Sequence, residues 1–447
     1  MRTLIQNATI VDDGRTLAGD LTIYGDCIES IDNHHKAPCG NYDLCIDATG
    51  CIVMPGVIDS HVHFREPGLT AKADIESESR AAAYGGVTTF FDMPNTVPQT
   101  VTQEALADKW HRGAEKSHVN YSFFPGATND NLDWLLHVDP HLVPGIKLFM
   151  GSSTGNMLVD REEALRSIFQ NVRLPIVAHC EDTAMIGRAM ADACERYGDD
   201  PPVSQHPVIR SAQACMTSSS LAVALAREYG ARLHLAHLST AQELSLLDPA
   251  KGTDMPSITG EAVIAHLMFS DADYATLGTR IKCNPAVKTA ADREALREAV
   301  ASGVIDTIGS DHAPHLPAEK ARPYRACPSG MPTIQESFSA MLTLAARTDL
   351  PLTRIAALMS ENAGRIFGLQ NKGKLAPGYD ADLVIIDPNA EWTVGKPAYK
   401  CGWTPYEGMT FTGRILQVWL RGEKVVENGE TLSAPPSGQP LAYKPIG

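Results

Sequence analysis

Two histidines separated by a single residue end an apolar run within residues 53–68. On a β-strand, residues i and i+2 point to the same face, so His61 and His63 would lie side by side. Two imidazoles in that arrangement can bind one metal ion. Arg65 continues the same parity and would place a guanidinium close to the metal. The stretch therefore predicts an anionic substrate that is held beside a Lewis acid.

Other polar side chains stand within or at the end of further apolar runs, where a parallel barrel has its active site. They are Asn95, Lys147, His179, His237, Asn284 and Asp311. Each one alone has a structural explanation, such as a hydrogen-bonded core histidine, a lysine that reaches the surface or a helix cap. Together with the first two histidines, they predict a metal-binding set that faces one pocket.

The number of ions follows from the charges of these side chains. The ligands fall into a group of three and a group of two: His61, His63 and Asp311, then His179 and His237. Two neighbouring cations repel each other and need an anion between them, which an ordinary lysine cannot supply. A lysine carboxylated by CO2 can bridge them, and burial favours the neutral amine that reacts with CO2. Lys147 is thus expected to bridge two Zn2+ ions, although Mn2+ or Co2+ would also fit.

The central region, residues 55–366, alternates strand-like apolar runs with helix-like stretches, which predicts a parallel α/β sheet. The strand-like runs are 86–93, 145–150, 175–179, 232–237, 280–284 and 306–311. Over about 300 residues, closure into a (β/α)8 TIM-type barrel is the main prediction. An open doubly wound sheet is the alternative, but its dinucleotide-binding form is unsupported because no G-x-G-x-x-G follows the first strand.

Residues 1–54 and 367–447 contain short strand-like segments separated by turns. Neither end has enough strands to close a core of its own. We therefore expect the two termini to combine into one small β-sandwich domain beside the catalytic barrel of residues 55–366, with two independent flaps as the alternative. The tail at residues 434–440 is expected to be extended and exposed.

The composition indicates an ordinary globular protein, with 44% hydrophobic and 20% charged residues. The net charge of -15 argues against nucleic-acid binding and against attachment to acidic membranes. Without an apolar run of about 18 residues or a signal-peptide core, the chain is expected to be cytoplasmic, with a small molecule as its partner. Its ten cysteines form no C-x-x-C pair and are expected to be reduced thiols.

Seven short motifs carry a resemblance to a known family. They are PGVIDSHVHFREPG (55–68), DMPNT (92–96), IKLF (146–149), AHCE (178–181), AHLS (236–239), CNPA (283–286) and SDHAPH (310–315). Together they resemble the amidohydrolase superfamily and, within it, the dihydroorotases of the long bacterial type. The likeness extends over nearly the whole chain. A lysine at position 147 also resembles the hydantoinases and the dihydroorotase domain of animal multifunctional proteins.

The resemblance implies a role for each candidate residue. The metal ligands would be His61, His63, Lys147, His179, His237 and Asp311, with Lys147 carboxylated and bridging. Asp311 would also be the catalytic base, which takes a proton from a metal-bound hydroxide and passes it to the leaving nitrogen. The substrate contacts would be Arg65, Asn95, Asn284 and His315, together with the backbone of Ser329 and Gly330.

The reaction that the resemblance implies is the reversible hydrolysis of L-dihydroorotate to N-carbamoyl-L-aspartate, whose reversal is the cyclisation step of pyrimidine synthesis. Hydantoinases (dihydropyrimidinases) and allantoinases share the metal set and are the alternatives. Their substrates carry no carboxylate, so Arg65 favours dihydroorotase. A non-enzymatic homologue would be expected to lose metal ligands, whereas all six are present here. A homodimer is expected, and residues 151–156 fit a lid or a tight turn equally well.

Overall fold

The computed structural model describes residues 1–12, 14–33, 40–151, 157–247, 256–431 and 435–444. The chain begins with short strands, as the turn-rich sequence predicts. They are β1 (Arg2–Asp12), β2 (Arg15–Tyr24), β3 (Cys27–Asn33), β4 (Leu44–Asp47) and β5 (Ile52–Pro55). After β5 a single glycine, whose N–H donates to the carbonyl of Asp382 (2.9 Å), leads directly into the central region.

The central region is a barrel of eight parallel strands. They are β6 (Val57–Val62), β7 (Val87–Asp92), β8 (Asn120–Phe123), β9 (Ile146–Phe149), β10 (Ile176–His179), β11 (Leu233–Leu235), β12 (Ile258–Val263) and β13 (Thr307–Gly309). Strands β6 to β8 form one ladder and β9 to β13 another. Parallel bridges between Gly126 and Lys147 and between Val62 and His312 join the two ladders. The prediction of a (β/α)8 barrel is confirmed.

Two barrel strands differ from the sequence prediction. Residues 280–284 do not form a strand, because a 3-10 helix occupies Gly278–Ile281 and a loop follows it. The seventh barrel strand is instead β12. The sequence analysis missed it because β12 continues directly into a helix at Ile264, so no turn residue marks the end of the strand. Strand β8 was also missed, since it alternates buried polar residues such as Asn120 with aromatic ones.

Helices surround the barrel and connect its strands. They are α1 (Ile75–Tyr84), α2 (Gln103–Lys116), α3 (Leu132–Leu135), α4 (Glu162–Asn171), α5 (Thr183–Tyr197), α6 (His206–Ile209), α7 (Ala212–Tyr229), α8 (Ile264–Met268), α9 (Tyr274–Leu277), α10 (Ala290–Ser302), α11 (Pro317–Lys320), α12 (Ile334–Arg347), α13 (Leu352–Ala356) and α14 (Asn362–Phe367). Asp74 begins α1, because its carboxylate accepts the N–H of Ser77 at 2.8 Å and so satisfies a free donor of the first turn.

The two termini build one mixed sheet, as predicted. The C-terminal strands are β14 (Leu383–Thr393), β15 (Thr410–Leu420), β16 (Glu423–Glu427) and β17 (Glu430–Thr431). The antiparallel pairing of β5 with β14 joins the two ends of the chain. Ile5, Leu21, Val53 and Trp419 are among the buried residues of the core of this β-sandwich. The proposed boundaries at residues 54/55 and 366/367 stay a prediction.

Residues 435 and 436 of the C-terminal tail are exposed as predicted, but Gly438 is buried and the later part of the tail is bound to the barrel. The N–H of Gly438 donates to the carbonyl of Ser117 (2.9 Å), and Tyr443 is fully buried. The described cysteines are free thiols, as expected. In the part of the chain that the structure describes, no helix is long and apolar enough to cross a membrane. Of the segment expected to be a lid or a tight turn, residues 151–156, all but Gly151 lie outside the described residues.

Candidate metal centre and active site

The predicted ligands come from five different barrel strands. His61 lies near the end of β6 and His179 ends β10, whereas His237 and Asp311 follow β11 and β13 by two residues. Lys147 lies within β9. Three site residues have a left-handed backbone, with φ of 66° at Arg65, 39° at His237 and 46° at Asp311. Such strain costs on the order of 1–3 kcal/mol per residue and is concentrated at functional sites.

The first three ligands converge on one point. His63 Nε2 lies 3.1 Å from Asp311 Oδ1, and His61 Nε2 lies 3.6 Å from the same oxygen. The Nδ1 atoms face away, towards oxygens of Glu261 and Asn95 at 2.7 Å each. If each Nδ1 donates its hydrogen there, both Nε2 lone pairs face a carboxylate. Three acceptors that point at one another are an arrangement that a cation stabilises.

Burial supports this protonation state for one of the two histidines. It lowers the pKa of His63 to about 4, so the ring is neutral near pH 7 and has a single hydrogen to give. When that hydrogen is on Nδ1, Asn95 Oδ1 accepts it at 2.7 Å. The Nε2 atom of His63 is then available as a metal ligand.

The second pair of ligands lies next to the first group. His179 Nδ1 and His237 Nε2 are 2.8 Å apart, a separation suited to two nitrogens on one ion. The ring of His237 also lies 5.2 Å from the ring of His61, which connects the two groups. The remaining nitrogens of this pair differ: Nδ1 of His237 is buried without a hydrogen-bond partner among the described residues, whereas Nε2 of His179 lies 3.2 Å from Glu181 Oε2.

Lys147 is a fully buried amine whose charge acts on Asp311 of the first group and on both histidines of the second. Its Nζ has no hydrogen-bond partner within the described chain and lies 5.2 Å from the centre of the Phe149 ring. Burial lowers the pKa of this lysine to about 8, which increases the fraction of neutral amine. A buried ammonium without any acceptor is costly. The position therefore suits a modified lysine or one that meets a further ligand.

Glu261 is a site residue that the sequence reasoning missed. It lies on β12, and its carboxylate accepts the Nδ1–H of His61 (2.7 Å) and the backbone N–H of His237 (3.2 Å). One buried carboxylate thus orients a side chain of the first group and the backbone of the second. Prediction of β12 from the sequence would have placed Glu261 on the barrel beside the ligands.

We expect replacement of Glu261 by glutamine to weaken metal binding by about 10- to 100-fold, because the ring of His61 would lose its fixed orientation. Metal affinity measured by titration of the metal-free protein with Zn2+ would test this. Glu243→Gln is a matched control, since Glu243 is also buried but bonds Ser219 and Thr240 rather than a ligand. Equal affinities in wild-type protein and Glu261→Gln would contradict the role.

A cationic side chain lies on the other side of the cavity. Arg65 is only 3% exposed, and its Nε donates to the carbonyl of Pro314 at 3.2 Å. In the described part of the chain no carboxylate forms an ion pair with it. His315 lies beside it, with its Nε2 at 3.0 Å from the carbonyl of Ser329. Both residues are buried at a position where an anionic group of a ligand would supply the missing charge.

The remaining predicted contacts also line this cavity. Asn95 does so while it orients His63, and Asn284 presents a buried Oδ1 that has no partner among the described residues. Ser329 and Gly330 contribute a wall of the cavity. The loop position of Asn284 still brings it to the mouth of the barrel, although the strand predicted to carry it is absent.

One cavity thus collects most of the predicted site residues. It is lined by His61, His63, Arg65, Asn95, Phe149, His179, His237, Asn284, Asp311, Ala313, Ser329 and Gly330. Lys147 and His315 lie behind this lining and are fully buried. The structure therefore brings the predicted ligands and the predicted substrate contacts to one end of the barrel, while their roles stay predictions.

Comparison with known proteins reveals similar chains that span this one almost completely. The profile of the amidohydrolase family matches residues 52–425. A dihydroorotase of Halobacterium salinarum is 34% identical over 440 residues, which cover 95% of this chain and 96% of that protein. An allantoinase of Deinococcus radiodurans is 32% identical and covers 97% of both. The solved L-hydantoinase (dihydropyrimidinase) from Arthrobacter aurescens has a TM-score of 0.92 at 26% identity, over 98% of this chain and 99% of that one.

Proposed function

The chain belongs to the amidohydrolase family, and on that premise we propose that it is a dihydroorotase, which hydrolyses L-dihydroorotate reversibly to N-carbamoyl-L-aspartate. The observation that carries the proposal is Arg65, a buried guanidinium without a carboxylate partner among the described residues, in the cavity of the metal ligands. The relatives named dihydroorotase support it. The fold alone does not choose the substrate, because similar proteins are also named allantoinase and hydantoinase.

We infer that the centre holds two Zn2+ ions per chain. The convergent acceptors of the first group, the close nitrogens of the second group and the unpartnered buried Nζ of Lys147 all fit this inference. In it, Lys147 is carboxylated and joins the two groups. When bound, the ions would supply a water with a lowered pKa and would polarise the amide carbonyl of the substrate.

Asp311 is the residue that moves the proton. Its side chain is 15% exposed and lines the cavity, so a carboxylate oxygen can reach both the attacking water and the substrate. In hydrolysis this carboxylate accepts a proton from the water and then gives it to the ring nitrogen as the C–N bond breaks. In the reverse direction Asp311 takes the proton from the carbamoyl nitrogen, the ring closes and water leaves.

The other residues hold the ring in place. The guanidinium of Arg65 forms a charge-assisted pair with the substrate carboxylate. Asn95 has its Oδ1 committed to His63, so its amide N–H groups are the donors left for the same carboxylate. Asn284 and the backbone of Ser329 and Gly330 complete the recognition of the ring, and His315 supports this wall through its contact with the Ser329 carbonyl. A cytoplasmic location, a homodimer and a place in pyrimidine synthesis stay predictions of this proposal.

Hydantoinase activity is the second candidate, because the solved L-hydantoinase has such a similar structure and the lysine at position 147 is shared with that class in the sequence resemblance. A neutral ring, however, would leave the buried charge of Arg65 without a partner, and burial of an unpaired charge is costly. A non-enzymatic homologue is disfavoured because the chain retains all six proposed ligands.

Turnover of four substrates, with metal content measured on the same sample, tests the proposal. We expect L-dihydroorotate and N-carbamoyl-L-aspartate to interconvert, with a kcat/KM for dihydroorotate at least about 100-fold above the values for dihydrouracil and allantoin, since a site built for a polar group rejects analogues that lack it. Faster opening of dihydrouracil or allantoin would refute the assignment. Less than one ion per chain with no turnover would favour a non-enzymatic protein.

A further inference from the structure

Behind the carboxylate site lies a lysine that the proposed mechanism does not use. Lys72 belongs to the turn that starts at Arg65, in which Leu69 N–H donates to the carbonyl of Arg65 and Lys72 N–H donates to the carbonyl of Leu69, both at 3.0 Å. Its Nζ lies 3.0 Å from His315 Nδ1 and 2.9 Å from Glu319 Oε1. The lysine side chain is 19% exposed, whereas His315 is buried.

This contact determines which nitrogen of His315 carries the hydrogen. An ammonium has hydrogens to donate and no lone pair, so His315 Nδ1 must accept from Lys72. The ring is neutral, because burial lowers the pKa of His315 and the nearby cations Arg65 and Lys72 lower it further. Its only hydrogen is therefore on Nε2, which donates it to the carbonyl of Ser329 at 3.0 Å.

The tautomer in turn determines what Arg65 can bind. Nη2 of Arg65 lies 3.2 Å from the same Nε2 of His315. Both atoms carry hydrogens in this tautomer, so neither accepts from the other, and Arg65 is held instead through Nε by the carbonyl of Pro314. The opposite tautomer would let Nε2 accept from Arg65, compete with an incoming carboxylate and deprive the carbonyl of Ser329 of its donor.

We propose that Lys72 is a positioning residue for the carboxylate of the substrate. It fixes His315 as a hydrogen-bond donor to the Ser329 loop and so leaves the terminal nitrogens of Arg65 available. The inference rests on the proposed function and deepens it. A hydrogen-bonded chain runs from Lys72 through His315 to the wall of the cavity, and in this proposal it restricts the substrates to cyclic amides that carry an anionic group.

The test compares Lys72→Met with Lys72→Arg and with the control Lys400→Met, whose ammonium pairs with Asp74 instead. For Lys72→Met we expect the KM for L-dihydroorotate to rise about tenfold or more, with kcat within about threefold of wild type, because a carboxylate contact is made equally in the ground state and the transition state. The dissociation constant of orotate, measured by calorimetry, should rise by the same factor. Lys72→Arg keeps a cationic donor and should restore both values, and Lys400→Met should match wild type.

The failure of this inference is distinguishable from failure of the proposed function. If the wild-type protein does not turn over dihydroorotate, the proposed function is wrong and this inference is wrong with it. If wild type is active but Lys72→Met retains the wild-type KM and orotate affinity, only the role of Lys72 is overturned. The role is also overturned if Lys72→Met lowers kcat by as large a factor as it raises KM and also lowers the melting temperature. That pattern would indicate a structural role.

Discussion

Replacement of Lys147 by alanine is expected to empty at least one metal position and to reduce turnover of dihydroorotate by about a thousandfold or more, because loss of metal catalysis removes several kcal/mol of transition-state stabilisation and each 1.36 kcal/mol is a factor of about ten. The physical reason is the position of the side chain. Its Nζ is buried without a partner among the described residues, and its charge acts on Asp311 of the first ligand group and on His179 and His237 of the second. Without an anion there, the repulsion between two cations is uncompensated.

Three measurements make this prediction specific. Metal content should fall from about two ions per chain, in the proposal, to one or fewer in Lys147→Ala. Wild-type protein supplied with 13C-labelled bicarbonate should show a carbamate carbon resonance that the variant lacks. Bicarbonate together with a short carboxylic acid should restore part of the activity of Lys147→Ala, since a free carboxylate can occupy the space left by the side chain.

A second lysine provides the matched control. Lys116 forms an ion pair with Glu66 and is 36% exposed, so Lys116→Ala removes a lysine without touching the cavity. We expect it to retain both metal and turnover. Unchanged metal content and activity in Lys147→Ala would refute the bridging role, and the two metal groups would then have to be joined by some other anion.

The fold could be predicted from the sequence because the chain repeats the same local pattern many times. Each buried parallel strand leaves an apolar run, and errors at single strands do not change the closure of the barrel. Strand β12 shows the limit, since it continues into a helix at Ile264 with no turn residue to mark its end. The error had a consequence, because Glu261 on that strand was not considered.

The candidate site could be predicted from the sequence only in part, for a different reason. His61 and His63 are neighbours in sequence, so strand parity is enough to place them together. The contact between Lys72 and His315 joins residues 243 positions apart. Its consequence for the tautomer depends on a distance of 3.0 Å, which no sequence pattern encodes. Positions of ligands at strand ends can therefore be predicted, whereas hydrogen-bond direction requires the three-dimensional structure.

Replacement of Arg65 by methionine is expected to leave metal content unchanged and to lower kcat/KM for dihydroorotate by about 100- to 1,000-fold, which corresponds to about 3–4 kcal/mol for a buried, charge-assisted pair. Methionine has a similar length and no charge, so it can fill the buried site without a clash. Among the described residues, the polar groups beside the guanidinium are the carbonyl of Pro314 and the edge of His315. The loss should therefore come from the missing carboxylate contact rather than from a disrupted core.

Arg112→Met is the control for removal of an arginine near the barrel. Arg112 pairs with Asp108 and Glu66 on a surface helix, and Glu66 keeps its ion pair with Lys116 when Arg112 is gone. This variant should match wild type. Arg65→Lys is more informative, because lysine keeps the positive charge but cannot form a bidentate pair with the carboxylate. We expect its activity to lie between those of wild type and Arg65→Met.

The decisive comparison is between substrates with and without a carboxylate. In Arg65→Met the loss should be confined to dihydroorotate, and any slow opening of dihydrouracil by the wild-type protein should persist or increase, because the buried positive charge that disfavours a neutral ring is gone. Equal losses for both substrates would mean that Arg65 supports the metal centre instead of the carboxylate. Unimpaired turnover of dihydroorotate would remove the carboxylate pair, and with it the observation that favours dihydroorotase over its relatives with neutral substrates.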